Sequence, residues 1–185
     1  MFDVVEFIEQ NQNKLWEDTI YDGYHSIGNR AKGYLGENWV KSYMQELGHE
    51  VEDASGSDKG GPYDLVIDGY KTEVKFSLAV ADNKKDMIKP DQFTINHVAV
   101  TKEWERFIFV GINPDLTERI AWMTKKDFEN VLKETKLFSK QQGGKNGTND
   151  DWMCTGKKPV KWIESKYARD ISEWYKFIMV IVWNK

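Results

Sequence analysis

The feature that most constrains this chain is a two-residue turn, Asp68-Gly69, set between two segments of alternating residues. Asp-Gly is a strong signal for a tight hairpin, because both central residues of such a turn take positive φ. Tyr63-Asp64-Leu65-Val66-Ile67 is predicted as the outgoing strand and Tyr70-Lys71-Thr72-Glu73-Val74-Lys75-Phe76-Ser77 as the return. The turn then fixes the register: 67 pairs with 70, 65 with 72, and Asp64 falls opposite Glu73. Facing side chains in such a pair have Cβ atoms about 4.5–5.5 Å apart. Lys75 shares their face, one pleat along. Leu65, Ile67, Tyr70, Thr72, Val74 and Phe76 form the other face, read as the core side.

Two carboxylates set face to face destabilise a sheet, so a sequence serving stability alone has no reason to place them there. A divalent cation removes the penalty, and an all-oxygen donor set at about 2.0–2.1 Å is what magnesium prefers. The lysine helps to hold the site when no metal is bound. Glu37 offers a third carboxylate. It sits on a predicted helix running from about Gly33 to Leu47 and stopped by Gly48, beside the apolar stripe Trp39, Val40, Tyr43, Met44 and Leu47.

Elsewhere, residues 2–20 read as one or two helices, 21–32 as a loop and His49–Asp53 as a short strand. The Gly- and Ser-rich run ASGSDKGGP and the linker ADNKKDMIKP flank the hairpin. A short helix is predicted at 91–98, and strands at Arg106–Ile112 and Arg119–Met123 around Asn113-Pro114-Asp115. A helix at Lys125–Lys136, a polar segment at 139–159, a helix near 168–176 and a strand at Phe177–Trp183 complete the chain.

A length of 185 residues suits a single domain, 1–185, and 8 Trp supply a sizeable core. No run approaches the roughly 20 apolar residues of a membrane span. The acidic, amphipathic start does not read as a signal peptide, so the cytoplasm is the default compartment. Cys154 is the lone cysteine, which excludes disulfide frameworks and Cys-based zinc sites within one chain, and 3 His do not make a His-rich site. A net charge of -4 argues against a general nucleic-acid coat. It leaves room for DNA binding, which depends on local charge.

Gly36-Glu37 on the helix, Pro62-Tyr63-Asp64 at the strand and Glu73-Val74-Lys75 on its partner together resemble the PD-(D/E)XK nuclease superfamily, the restriction-endonuclease-like fold. Tyr63 stands as an extra residue between Pro62 and Asp64. The resemblance covers residues 33–77 well and the later strands loosely. It implies an α/β fold with a three-layer core, a mixed central sheet flanked by helices, and a catalytic core at about 33–124. It also implies Mg2+-dependent hydrolysis of phosphodiester bonds, with Mn2+ able to substitute. Asp64 and Glu73 would ligate the metal directly, the Val74 carbonyl would be a further ligand, and Glu37 would bind directly or through water. Lys75 would orient or deprotonate the attacking water. Deprotonation at pH 7 needs its pKa to fall by roughly 3 units, about 4 kcal/mol, whereas neighbouring carboxylates raise it. Positioning and charge stabilisation are therefore the favoured role.

The segment from Gly33 through Lys75 also resembles an archaeal Holliday-junction resolvase, although those proteins end shortly after the motif. The continuation here, about 139–166, combines Lys140, Lys145, Lys157, Lys158 and Lys161 with Gln141, Gln142, Asn146, Asn149, Trp152 and Trp162. Lysines hold phosphates and amides read base edges. This resembles the recognition segments of small Type II restriction enzymes. Gln92, followed by Thr94, Asn96 and His97, offers further DNA contacts. The expectation is a Type II restriction endonuclease acting on double-stranded DNA as a homodimer, with a separate companion DNA methyltransferase. A junction resolvase, a nicking enzyme and a catalytically inactive DNA-binding module are the alternatives.

Overall fold

A computed structural model of the chain describes residues 16–54, 61–80, 89–141 and 151–174. A 3-10 turn at Tyr24–Ser26 leads into helix α1 (Asn29–Glu46). Strands β1 (Val51–Asp53), β2 (Leu65–Ile67), β3 (Tyr70–Leu78), β4 (Phe93–Ala99), β5 (Arg106–Ile112) and β6 (Glu118–Thr124) follow. Helix α2 (Lys125–Glu134), strands β7 (Ser139–Lys140) and β8 (Asp151–Gly156), helix α3 (Lys158–Ile163) and a 3-10 turn at Ile171–Glu173 complete the described elements. None of these helices is long and apolar enough to cross a membrane.

The result is a mixed α/β arrangement. The main sheet has the order β1-β2-β3-β5-β6, and a second sheet has the order β4-β8-β7. Neighbours in the main sheet are antiparallel except β3 and β5, which run parallel from Thr72↔Arg106 to Leu78↔Ile112. A parallel pair requires a crossover. Here the crossover carries β4 out of the main sheet into the second one.

The hairpin forms in the expected register, with Leu65 opposite Thr72 and Ile67 opposite Tyr70. Asp68 and Gly69 have φ of 49° and 81°, the left-handed pair that this turn demands. The Asp68 carboxylate accepts hydrogen bonds from the Glu50 backbone N–H at 3.0 Å and from Trp174 Nε1 at 2.8 Å, and lies 2.7 Å from His49 Nδ1. The turn is thus anchored from both sides in sequence. Behind it, the Arg106 guanidinium, 2% exposed, stacks 3.5 Å from the Tyr70 ring centroid and 4.2 Å from that of Trp174. Burial holds its pKa down at about 10.

Both faces of the main sheet are covered, which corrects the one-sided core read from the hairpin. Helix α1 covers the face that carries Val74 and Phe76. At Gly36 an added Cβ would lie 2.4 Å from Phe76 Cβ, so only glycine lets the helix approach this closely. The opposite face carries Glu73 and Lys75 beside Phe107 and Phe109 of β5. It is closed by α2, α3 and the second sheet. Phe107 meets Trp162 with ring centroids 5.5 Å apart and Phe128 at 6.4 Å, while Phe93 of β4 meets Phe109 at 5.7 Å.

Several elements differ from their sequence reading. The helix predicted at 91–98 is strand β4, with Phe93 and Ile95 buried in alternation. A bulge between Ile95 and Val98, with His97 at φ 54°, breaks the period-two pattern that would have marked a strand. The helix predicted from Gly33 starts at Asn29, because Gly33 and Gly36 lie within it. The segment 139–159 holds β7 and β8, whose pairing with β4 buries Cys154. Lys158–Ile163 is helical, with Pro159 in the first turn where its missing N–H costs nothing. Trp162, grouped with the recognition residues, is fully buried in the core. From the helix predicted near 168–176, the 3-10 turn at Ile171–Glu173 is observed, and 175–176 lie outside the described residues. Of the helices predicted over residues 2–20, residues 2–15 lie outside them, as does the strand Phe177–Trp183, while residues 16–20 form turns, with the Thr19 N–H on the Trp16 carbonyl at 3.3 Å.

Candidate active site

Of β3, strand β2 pairs with Tyr70–Thr72 alone, whereas β3 runs on to Leu78. Beyond Thr72, β3 has no strand partner on the β2 side among the described residues. Asp64 sits where β2 begins. Its N–H donates to the Thr72 carbonyl at 3.0 Å, and its Oδ2 accepts from the Val74 N–H at 2.7 Å. The paired register ends at Leu65↔Thr72; the Asp64 N–H goes to the Thr72 carbonyl, one residue short of the Asp64–Glu73 pairing that the turn predicts, and its carboxylate meets Val74 at the open edge. The N–H and C=O of one strand residue point the same way, so the Val74 carbonyl also points to this open edge.

A cleft of about 220 Å3 follows the open edge. Asp64, Val74, Lys75 and Phe76 line it from the sheet, Lys32, Gly33, Gly36 and Glu37 from α1, and Thr94 and Asn96 from β4. Close packing at Gly36 is what carries the next residue, Glu37, over the sheet edge. The structure therefore brings Asp64, Val74, Lys75 and Glu37 to one cleft.

Glu73 lies deeper. It is 0% exposed, and its Oε1 accepts from Lys75 Nζ at 2.7 Å. A second ammonium, Lys102 Nζ, lies 3.1 Å from Oε1 and 3.2 Å from Oε2. Burial raises the pKa of Asp64, and the neighbouring charge of Glu73 raises it further. Burial and then Asp64 do the same to Glu37. Lys75 feels burial most strongly, which lowers its pKa, but Glu73, Asp64 and Glu37 together outweigh that effect and hold it above the ordinary lysine value. Lys75 is thus a cation and a hydrogen-bond donor at neutral pH.

The donor set suits a hard divalent ion: three carboxylates and a backbone carbonyl are all oxygen ligands. Asp64 and Glu37 are held in a state that a cation would relieve. As arranged, no three carboxylate, His or Cys side chains among the described residues gather round one point. The reason is visible in Glu73, whose carboxylate is turned to the two lysines.

No family model matches the chain, and no curated protein matches it. Among solved structures, the bacterial homing endonuclease I-Ssp6803I superimposes at a TM-score of 0.38 and 17% identity, over 55% of this chain and 69% of its own.

Of the expected DNA-contacting residues, Thr94 and Asn96 line the cleft, whereas Gln92, Lys140, Lys157 and Lys158 lie apart from it. Gln92 sits at the far end of β3, its carbonyl accepting from the Val80 N–H at 2.8 Å. Lys140 is exposed on β7, its Nζ 5.9 Å from the centroid of the Trp152 ring. Lys157 and Lys158 are exposed at the start of α3. Lys145 and Asn146 lie outside the described residues. Sequence reasoning missed Lys32 and Lys102. Lys32 fell in a segment read as a loop, and Lys102 lies in a connection with no motif of its own. Asn96 is expected from the sequence as a DNA contact beside Gln92. It lines the cleft, and its Oδ1 is buried without a hydrogen-bond partner among the described residues.

Proposed function

We propose that the chain is a divalent-metal-dependent DNA endonuclease that hydrolyses phosphodiester bonds in the cleft along the open edge of β3. One observation carries this reading: Asp64, held by the Val74 N–H where the hairpin pairing ends, shares one cleft with Lys75 and Glu37, and Glu73 lies behind it on Lys75. Asp64, Glu37, Glu73 and the Val74 carbonyl would hold Mg2+, with Mn2+ as a substitute. A bound divalent ion supplies charge neutralisation at the phosphate and a more acidic water.

The chain's own groups do the rest. Lys75, protonated, donates to an attacking water or to a phosphate oxygen and balances charge as the phosphorane forms. Lys32 and Asn96, at opposite walls, hold the backbone of the strand being cut. The finer reading is site-specific cleavage of duplex DNA in the manner of a Type II restriction enzyme, acting as a homodimer. The second sheet and the start of α3 support it, since they add a surface with Lys140, Lys157 and Lys158 outside the cleft.

The test is incubation of supercoiled plasmid with Mg2+, beside the Asp64→Asn protein. Discrete fragments establish site-specific double-strand cleavage, nicked circles a nickase, and cleavage of branched DNA alone a resolvase. Equal cleavage by the Asp64→Asn protein, or none by the wild type with Mg2+ or Mn2+ on any of these substrates, removes the assignment.

A further inference from the structure

Glu73 is fully buried, yet two ammonium groups contact it. Lys75 comes from its own strand two residues along. Lys102 comes from the connection between β4 and β5, far away in sequence, and nothing about catalysis by an Asp–Glu–Lys set requires it. The connection is firmly built. Trp104, 1% exposed, donates from Nε1 to the Ala99 carbonyl at 2.8 Å. Glu103 pairs with Lys71 at 2.8 Å, and the Glu105 carboxylate accepts from the Lys71 N–H at 3.0 Å. The Lys102 carbonyl accepts from Lys125 Nζ at the start of α2. A side chain delivered by so constrained a loop onto both oxygens of a buried carboxylate is a built contact, unlike an incidental surface ion pair.

Charge explains the contact. Asp64, Glu73 and Glu37 face Lys75 and Lys102, leaving one excess negative charge if all five are ionised. Without Lys102, three carboxylates would share one ammonium, with Glu73 out of reach of water. With a divalent ion on Glu73, the second ammonium is surplus there. It is about a third exposed at 29%, so its four-carbon stem can swing toward solvent and an incoming phosphate.

We propose that Lys102 is a displaceable cation. It neutralises Glu73 in the metal-free protein, leaves those oxygens when a divalent ion binds, and then contacts a phosphate of the substrate strand. The proposal rests on the metal-dependent nuclease reading and deepens it. Lys102 is a positioning residue, since it acts first through Glu73.

The test is calorimetric titration of the full chain with Mn2+, without DNA. The panel is wild type, Lys102→Met, Lys102→Arg and Asp64→Asn. Removing the competitor should tighten Mn2+ binding by about tenfold, equivalent to about 1.4 kcal/mol. Lys102→Arg should return the affinity to wild type or weaker, and Asp64→Asn should lose binding. Phosphate contact is read separately, as weaker binding of duplex DNA by Lys102→Met when Ca2+ replaces Mg2+. Wild-type Mn2+ binding with no tightening in Lys102→Met overturns the displaceable cation and leaves the metal site standing. Absence of Mn2+ binding in every protein overturns both. If Lys102→Met does not fold, the Arg variant decides. Mn2+ affinity in Lys102→Arg well above wild type would show that a cation at this position does not compete.

Discussion

Asp64→Asn should make the metal-free protein more stable while abolishing its cleavage. Asparagine keeps the shape and the Oδ acceptor for the Val74 N–H, which Asp64 engages at 2.7 Å. What disappears is a buried negative charge that Glu73 repels. A like-charge cross-strand pair costs up to about 1 kcal/mol. The chain's size converts that into a rise of about 2–4 °C in Tm. The effect has a pH signature. Burial and Glu73 place the folded pKa of Asp64 above its unfolded value. Between the two values the folded state binds more protons than the unfolded one, so stability falls as pH rises through that window. The penalty is complete above the folded pKa and absent below the ordinary carboxylate range, near pH 4. The advantage of Asp64→Asn over wild type should therefore grow as pH rises through the window and then level off. Thermal unfolding in chelator across the acid-to-neutral range measures it. Glu73→Gln supplies the contrast, because Glu73 accepts charge-assisted bonds from Lys75 and Lys102, each about 1.5–3 kcal/mol. Those lysines are 21% and 29% exposed and can recover water, so a net loss of about 2 kcal/mol is expected. The two neighbouring carboxylates should therefore respond with opposite signs. An Asp64→Asn protein less stable than wild type at neutral pH would refute the charge reasoning.

Gly36→Ala places a methyl 2.4 Å from Phe76 Cβ and should cost about 1–3 kcal/mol by overpacking, read as a lowered Tm; an unchanged Tm would show that α1 can slide on the sheet. Glu37→Gln should slow plasmid cleavage less than Asp64→Asn does, since Glu37 reaches the cleft from a neighbouring helix; equal loss in single-turnover rates would make it a primary ligand. Replacing Lys157 and Lys158 with Gln should weaken DNA binding with a smaller salt slope, and an unchanged slope would remove the start of α3 from the interface.

Much of the site was legible because the turn made it so. Asp68-Gly69 allows one tight register, observed from Ile67↔Tyr70 to Leu65↔Thr72, and the end of that pairing brings Asp64 near Glu73. Strand β5 was read to its last residue, because Arg106–Ile112 is a continuous apolar run bounded by charge and a turn. Glu37 was placed correctly because its helical position borders a clear apolar stripe. What failed shares one cause: long-range pairing that leaves little local trace. Strand β4 depends on β8, which is nearly sixty residues later and lies in a segment whose composition reads as loop. The contact of Lys102 with Glu73 depends on a crossover whose path no local pattern reveals. The burial of the hairpin's polar face is likewise invisible, since its covering residues, Phe93 and Trp162, come from those same unread elements.

The parallel pairing of β3 with β5 also dictates an order of assembly. A tight hairpin closes in roughly 1–10 μs, so the two acidic residues meet early and locally. Joining β5 to β3 spans 34 residues at its first rung, from Lys71 to Glu105, and non-local parallel pairing is slow. Only that later event brings up the second lysine, seals the far face and leaves a walled groove in place of a bare sheet edge. During synthesis the hairpin is therefore complete before the chain has emerged as far as Ile112, and until then the strand that carries Glu73 and Lys75 has no β5 beside it.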